Sequence, residues 1–488
     1  MSEDMESLLR GHRRYFAEGR TRDVRFRAEA LRRLRKALRD HTDALCEALR
    51  LDLHKSASES YLTEIGIVLQ EIARHLRRLK RWTAGRRVPS PLTILPSGSR
   101  IVPEPLGVVL IVAPWNYPVQ LLLNPLVGAL SAGNCAVLKS SPLVPHTEAL
   151  LKRLIGEVFP PGYVSFLEGG PEVVEEVLKQ RFDSIFFTGG SAFGQTVMRA
   201  AAEHLTPLTL ELGGKSPCIV GRDADIPLAA RRIVWGKLLN AGQTCVAPDY
   251  LFVHADRKRQ LCVEMERAVR RFFGDDPRLS DDYPRIVSVQ AAERLQRMMH
   301  GSGKILFGGT CDPQQRYVAP TLIDEPDDDS PVMRQEIFGP LLPVKGFHDI
   351  ETVIRYVNER DKPLALYYFG GRREADRVLR STSSGGACVN DTVVQLANGR
   401  LPFGGVGRSG IGKYHGRFSF ELFSNLRAVV RSPRWIDIPL RYAPYRSIRL
   451  FKKFLKESEA ECVRGNGLEN DGTGCLPIRL QGTLPSDG

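Results

Sequence analysis

Val108-Val109-Leu110-Ile111-Val112-Ala113 is an unbroken apolar run that stops at Pro114. Without polar alternation, such a run suits a strand covered on both faces, as strands are inside a parallel sheet. The same grammar recurs three times. Cys135-Ala136-Val137-Leu138 leads through a loop to a helix around Ala149 to Val158, Tyr163-Val164-Ser165-Phe166 to one around Val173 to Leu178, and Ser184-Ile185-Phe186-Phe187 to the turn Thr188 to Gly194. Four strand-loop-helix units in succession predict a doubly wound α/β domain with right-handed crossovers. Open sheets of this kind bind ligands beyond the carboxyl ends of their strands. Asn116, Lys139 and Thr188 stand at such ends.

Upstream, Leu31, Leu34, Ala37, Leu38, Leu45 and Leu49 mark one helical face, and Leu62, Ile65, Leu69, Ile72, Leu76 and Leu79 mark another. Both read as a scaffold packed on a sheet, with no chemistry of their own. Downstream, helical and strand patterns alternate again. The expected division is residues 1–210 for N-terminal helices and a dinucleotide-binding domain, with an arm strand near 98–105, and 211–395 for a second α/β domain around Cys245. Residues 396–456 are expected to form a return segment and oligomerisation arm, and 457–488, low in apolar content, a disordered tail.

Composition narrows the function. At 488 residues the chain exceeds what one core supports, and 42% hydrophobic with 26% charged residues is typical of soluble globular proteins. Nine cysteines over this length form no disulfide framework and suit a reducing compartment; the cytoplasm is expected. The start lacks the apolar core of a signal peptide, and no segment reaches the ~18 consecutive apolar residues of a membrane span. The net charge of +13 is spread over helices beside Glu and Asp rather than gathered in one module, which argues against nucleic acid. Tyr442, Tyr445, Ile448, Leu450, Phe451 and Phe454 interleave with basic residues, a pattern that suits packing on the protein surface or weak contact with anionic membrane across 442–456.

Cys245 follows Asn240-Ala241-Gly242-Gln243-Thr244, irregular backbone that presents a side chain and bare N–H groups to a pocket. No second Cys or His stands beside it, so neither a metal site nor a redox pair is expected, and Cys245 is the candidate nucleophile. A cysteine nucleophile needs a field or base, an oxyanion donor, and a group to activate water. His204 and His254 occupy unremarkable contexts, which disfavours a Cys-His pair. Glu211, between Leu210 and Leu212, fits a buried general base or a structural brace with Lys215. Asn116 fits a neutral oxyanion donor or a helix cap. Tyr117 and Thr244 are placed in the acceptor pocket. The glycines from Thr188 to Gly194 would let a phosphate approach a helix N-terminus, and Lys139 would bind the same ligand.

Pro114-Trp115-Asn116-Tyr117-Pro118, Leu210-Glu211-Leu212-Gly213-Gly214-Lys215, Gly242-Gln243-Thr244-Cys245 and Gln335-Glu336-Ile337-Phe338-Gly339-Pro340 resemble the four signature blocks of the aldehyde dehydrogenase superfamily. Val246-Ala247-Pro248-Asp249-Tyr250 and the segment from Leu401 to Phe420 resemble its class 3 branch of fatty and aromatic aldehyde dehydrogenases. The resemblance implies two doubly wound parallel-sheet domains with a small oligomerisation arm, a homodimer, and NAD(P)-dependent oxidation of medium- or long-chain aliphatic or aromatic aldehydes to acids. It assigns attack to Cys245, the oxyanion to Asn116 and water activation to Glu211. It assigns cofactor binding to Lys139, Gly189, Ser191, Gly194, Glu336 and Phe338. Pro142 stands where the family commonly has a Glu that disfavours a 2′-phosphate, so both NAD and NADP are expected to work. A CoA-acylating relative and a catalytically silent relative are the alternatives, and Glu211 argues against the first.

Overall fold

The computed structural model describes residues 2–437, 441–443 and 452. The tail expected at 457–488 lies outside these residues, as does 442–456 apart from Tyr442, Ala443 and Lys452. The chain divides into two compact units, residues 1–85 with 102–427, and residues 86–101 with those from 428 on.

The larger unit holds two sheets. In the first, strands run in the order Gly410–Ile411, Leu208–Glu211, Ser184–Thr188, Val108–Val112, Cys135–Lys139, Val164–Leu167. All pair in parallel except Gly410–Ile411, which runs antiparallel to Leu208–Glu211. The apolar run behaves as its composition requires: every residue of Val108–Val112, Cys135–Lys139 and Ser184–Thr188 is buried. Register then places the site. Val112 lies opposite both Lys139 and Phe187, and Thr188 lies opposite Glu211, so four strands end along one rim of the sheet.

The second sheet has seven strands, ordered Lys304–Phe307, Thr321–Asp324, Leu341–Phe347, Tyr250–His254, Pro217–Val220, Ala365–Phe369, Gly386–Val389. Only the pair Lys304–Phe307 and Thr321–Asp324 is antiparallel. In the arm, Arg86–Val88 runs antiparallel to Gly98–Pro105, and Ser424–Arg431 completes a three-stranded sheet. No helix among the described residues is long and apolar enough to cross a membrane.

Two helical expectations change. The face read over 30–49 belongs to two helices, Val24–Asp40 and Thr42–Leu53, although Leu31, Leu34, Leu38, Leu45 and Leu49 are all buried. At the break, the His41 ring bonds the Ala37 carbonyl at 2.9 Å and Thr42 Oγ1 donates to the Leu38 carbonyl at 3.0 Å. Such side chains offer the backbone an alternative to continuing the helix. On the next face, Ile65, Ile72 and Leu79 are buried, but Leu62 is 71% exposed. A π turn over Tyr61–Ile65 precedes the helix Gly66–Thr83, and its extra residue rotates what comes before it out of register.

Candidate functional site

The helix Ile226–Leu238 runs into a tight turn, Leu239–Gly242, that delivers Cys245 to the wall of a cavity of about 1250 Å³. Gln243 anchors the loop from both ends of its amide. Its Nε2 donates to the carbonyls of Asn240 (2.9 Å) and Arg285 (3.0 Å), and its Oε1 accepts from Val287 N–H (2.9 Å). Thr244 Oγ1 and Tyr117 OH are 2.6 Å apart, which fixes the pocket side of the loop. Burial pushes the Cys245 thiol up to about 12, reinforced by the Glu336 and Glu211 carboxylates and opposed by the backbone N–H groups of Cys245 and Val246. The resting sulfur is therefore a thiol, with backbone donors already beside it.

Asn116 lies past the strand Val108–Val112 and is buried in the same cavity wall. Its Nδ2 donates to the Gln243 carbonyl at 3.0 Å, which leaves the second N–H of that NH₂ for another acceptor. It does not cap the following helix, Pro118–Ala132. There the N-cap position is Tyr117, and Glu64 Oε2 accepts the Val119 N–H at 2.8 Å.

Glu211 ends the last parallel strand of the first sheet, held by its main chain between Gly189, whose N–H donates to the Glu211 carbonyl at 3.0 Å, and the strand Gly410–Ile411. Its side chain is buried, and neither oxygen has a hydrogen-bond partner among the described residues. Burial pushes this carboxyl well above its ordinary value, with the Lys413 charge opposing. The brace with Lys215 is not formed. Lys215 Nζ pairs with Asp249 and donates to the carbonyls of Val332 (2.7 Å) and Gln335 (2.9 Å), so it secures the loop that carries Glu336. Among the described residues Glu211 is thus an unpaired carboxyl facing a cavity, the condition in which a carboxylate can take a proton from a ligand.

Lys139, Gly189, Glu336 and Phe338 line the cavity with Cys245, Asn116 and Glu211. Lys139 Nζ donates to the Ser140 carbonyl and lies 3.6 Å from Glu148. Burial raises the Glu336 carboxyl to about 7, with Asp249 adding and the Gly214 N–H at 3.1 Å opposing. Gly213 permits this position, since a Cβ there would lie 2.1 Å from Glu336 Oε2. Phe338 meets Trp115 edge-on at 5.5 Å. Ser191 and Gly194 start the helix Ser191–Glu203 but are not in the cavity wall; a Cβ on Gly194 would fall 2.7 Å from Leu212, so this glycine serves close helix-strand packing.

These residues suit a dinucleotide. Thr188 Oγ1 and Ser140 Oγ are buried in the cavity wall without partners among the described residues, and the N-cap Gly190 gives its helix no side-chain cap. Hydroxyls and helix N–H groups left in this state match the oxygens of phosphates and riboses.

The N-terminal helices, read as scaffold, also reach the cavity through Ser56, Glu59, Leu62, Thr63 and Ile67. His415 does too, buried and stacked on Phe403. Periodicity carried little sign of this for the N-terminal residues, because all of them but Ile67 lie in or before the π turn, outside the regular helix Gly66–Thr83.

Residues 1–429 match the Aldehyde dehydrogenase family. The 4,4'-diaponeurosporen-aldehyde dehydrogenase of Staphylococcus aureus is 42% identical over 445 residues, covering 91% of this chain and 97% of that protein. Human aldehyde dehydrogenase family 3 member B1 is 44% identical over 456 residues, 93% of this chain and 97% of that one. A structure of Staphylococcus aureus AldH in its substrate-bound state superposes with a TM-score of 0.91 at 41% identity, covering 92% of this chain and 99% of that chain.

Proposed function

We propose residue roles for a chain that belongs to the aldehyde dehydrogenase family, in its class 3 branch, and whose reaction is NAD(P)-dependent oxidation of an aldehyde to the acid. Cys245 Sγ releases its proton to solvent and adds as the thiolate to the carbonyl carbon, whose C=O electron pair moves onto the oxygen. The oxygen that gains charge is met by the free N–H of Asn116 Nδ2 and by the backbone N–H of Cys245, donors worth about 3 kcal/mol each in such sites. Bound NAD(P) would supply the two-electron oxidation, accepting the hydride that the hemithioacetal gives up as it becomes a thioester. Glu211 takes a proton from the water that hydrolyses the thioester, and burial, which raises this carboxyl well above its ordinary value, makes its ionised form a stronger base. Lys139, Gly189, Glu336 and Phe338 would hold the cofactor, with Ser191 at the start of the helix beneath its phosphates and Gly194 packing that helix on Leu212.

The bond from Asn116 Nδ2 to the Gln243 carbonyl carries this assignment, because it ties the oxyanion donor to the loop of the nucleophile. Replacing Cys245 by Ala is expected to lower aldehyde oxidation by at least ~10³-fold and to abolish the burst of reduced cofactor. Near-normal turnover in that variant would overturn the roles.

The substrate is an apolar aldehyde, aliphatic of medium to long chain or aromatic. Leu62, Ile67, Leu121, Trp235, Leu239 and Val394 in the cavity wall support this, as does the Staphylococcus aureus relative whose name specifies 4,4'-diaponeurosporen-aldehyde. Pro142, in the wall near Lys139, supplies no carboxylate to repel a 2′-phosphate. The kcat/KM values for NAD and NADP are expected within about 100-fold of each other, or ~2.7 kcal/mol, and steady-state kinetics with both cofactors checks this.

In this assignment residues 1–210 are the nucleotide-binding part, 211–395 the catalytic part and 396–456 the return segment and arm. A homodimer through the arm is supported by exposed Leu426 and Val430 on Ser424–Arg431. A cytoplasmic location is supported by the free thiols of all the described cysteines.

A further inference from the structure

The charged residues of the stretch from Lys55 to Ile65 take no part in these roles, yet they press against both catalytic loops. Lys55 Nζ and Glu64 Oε1 are 2.6 Å apart, and both side chains are 0% exposed. Each has a second partner across the site. Lys55 Nζ donates to the Asn116 carbonyl at 3.0 Å, and Glu64 Oε2 accepts the Val119 N–H at 2.8 Å. Glu59, on the short helix Ala57–Ser60, accepts the Asn240 N–H through Oε1 at 2.7 Å. Asn240 Nδ2 links the two sides, donating to the Asn116 carbonyl at 2.7 Å and to the Gln243 carbonyl at 3.2 Å.

The turn held by Glu59 needs holding. Asn240 and Ala241 have φ of 51° and 53°, a left-handed conformation that costs a side-chain-bearing residue about 1–2 kcal/mol. Gly242 continues it at φ 77°, where a Cβ would lie 2.2 Å from the Gly339 carbonyl oxygen. Residues five apart on a regular α-helix point about 140° away from each other. The π turn over Tyr61–Ile65 narrows that angle and lets Glu59 and Glu64 both face the loops. A buried ion pair adds little net stability over apolar packing, so what this one contributes is direction.

We propose that Lys55, Glu59 and Glu64 are positioning residues that clamp the Asn116 carbonyl and the Asn240 amide, and so set the separation between the oxyanion donor and Cys245. The proposal rests on the roles assigned to Asn116 and Cys245 above. None of the three touches the reacting atoms.

Full-length Glu59→Ala, Glu59→Gln and the charge-neutral double variant Lys55→Met/Glu64→Gln test it, read by kcat/KM for aldehyde, burst rate, KM for NAD and thermal midpoint. Glu59→Ala is expected to lower kcat/KM for aldehyde about 10- to 100-fold, as a slightly misplaced group does, with KM for NAD within about twofold. Glu59→Gln keeps an oxygen acceptor for the Asn240 N–H and is expected to recover to within about threefold of the parent. The double variant keeps an acceptor for Val119 and is expected to slow the burst about 10-fold at unchanged KM for NAD. Loss spread equally over NAD binding, midpoint and turnover, or no recovery in Glu59→Gln, would overturn the clamp in favour of a plain structural role; should Glu59→Ala not fold, the other two variants decide alone. If Cys245→Ala or Asn116→Ala keeps activity, the assignment beneath falls. If those lose it while Glu59→Ala turns over normally, only the clamp falls.

Discussion

At the cysteine end of the cavity, the polar groups that hold the loops bond one another: Gln243 bonds three backbone groups, Tyr117 bonds Thr244, and Asn116 bonds the Gln243 carbonyl, with Asn240 Oδ1 left without a partner among the described residues. At the nucleotide end, Thr188 Oγ1 and Ser140 Oγ are buried without partners among the described residues, and the helix behind Gly190 has no side-chain cap. The difference follows from what each end must do. Groups that hold a reacting geometry have to be fixed before a ligand arrives, and only internal hydrogen bonds can fix them. Groups that bind a ligand get their partners from it, and until then they are costly to bury. Glu211 belongs with the second set, although it sits beside the first.

The sharpest way to break that comparison is Glu211→Gln. If Glu211 is the free base, this variant retains the burst of reduced cofactor while steady-state turnover falls by about 10³-fold, because the thioester persists. The pH dependence has a definite sign. Burial raises the Glu211 carboxyl well above its ordinary value, so the ionised form is present only above that raised pKa. Thioester hydrolysis therefore rises with pH up to that point and falls about tenfold per unit below it. The residual rate of Glu211→Gln is expected to lack this limb.

Asn116→Ala comes next, with a loss of about 10²-fold in kcat and little change in KM for NAD(P), measured by steady-state kinetics. A matched loss in cofactor binding would mean that the two ends are one network. The smallest effect is expected from Thr188→Val, a change of similar shape that removes only a hydroxyl without a partner among the described residues. KM for NAD(P) should rise about fivefold at similar kcat, while the thermal midpoint holds or increases, since no native hydrogen bond is lost. A clear drop in midpoint would show that the nucleotide end is internally satisfied after all.

The parts of the site legible in the sequence share one property: their signal is local. The apolar run from Val108 to Ala113 declares a covered strand, and Asn116 must then follow its carboxyl end. Cys245 stands out by its small, glycine-containing approach, and Glu211 by its apolar flanks. Where sequence left two options, a long-range partner chose. Lys215 pairs with Asp249 rather than Glu211, and Asn116 turns to Gln243 rather than to its own helix. The inward face of the N-terminal helices was hidden for the same reason. Leu62 belongs to a regular helical stripe on paper, yet it lies in a π turn and is 71% exposed at the cavity wall rather than packed in the core.

Residue order alone determined the two-sheet architecture and the rim on which Asn116, Lys139, Thr188 and Glu211 stand, because burial of continuous apolar runs depends on neighbours in the chain, and it singled out Cys245, Asn116 and Glu211 as the candidates for the reaction. Tertiary structure decided which charges pair, which hydroxyls remain open, and how Lys55, Glu59 and Glu64 meet loops far from them in sequence. Those outcomes depend on distances across packed elements and on the competition among several possible partners for one buried group.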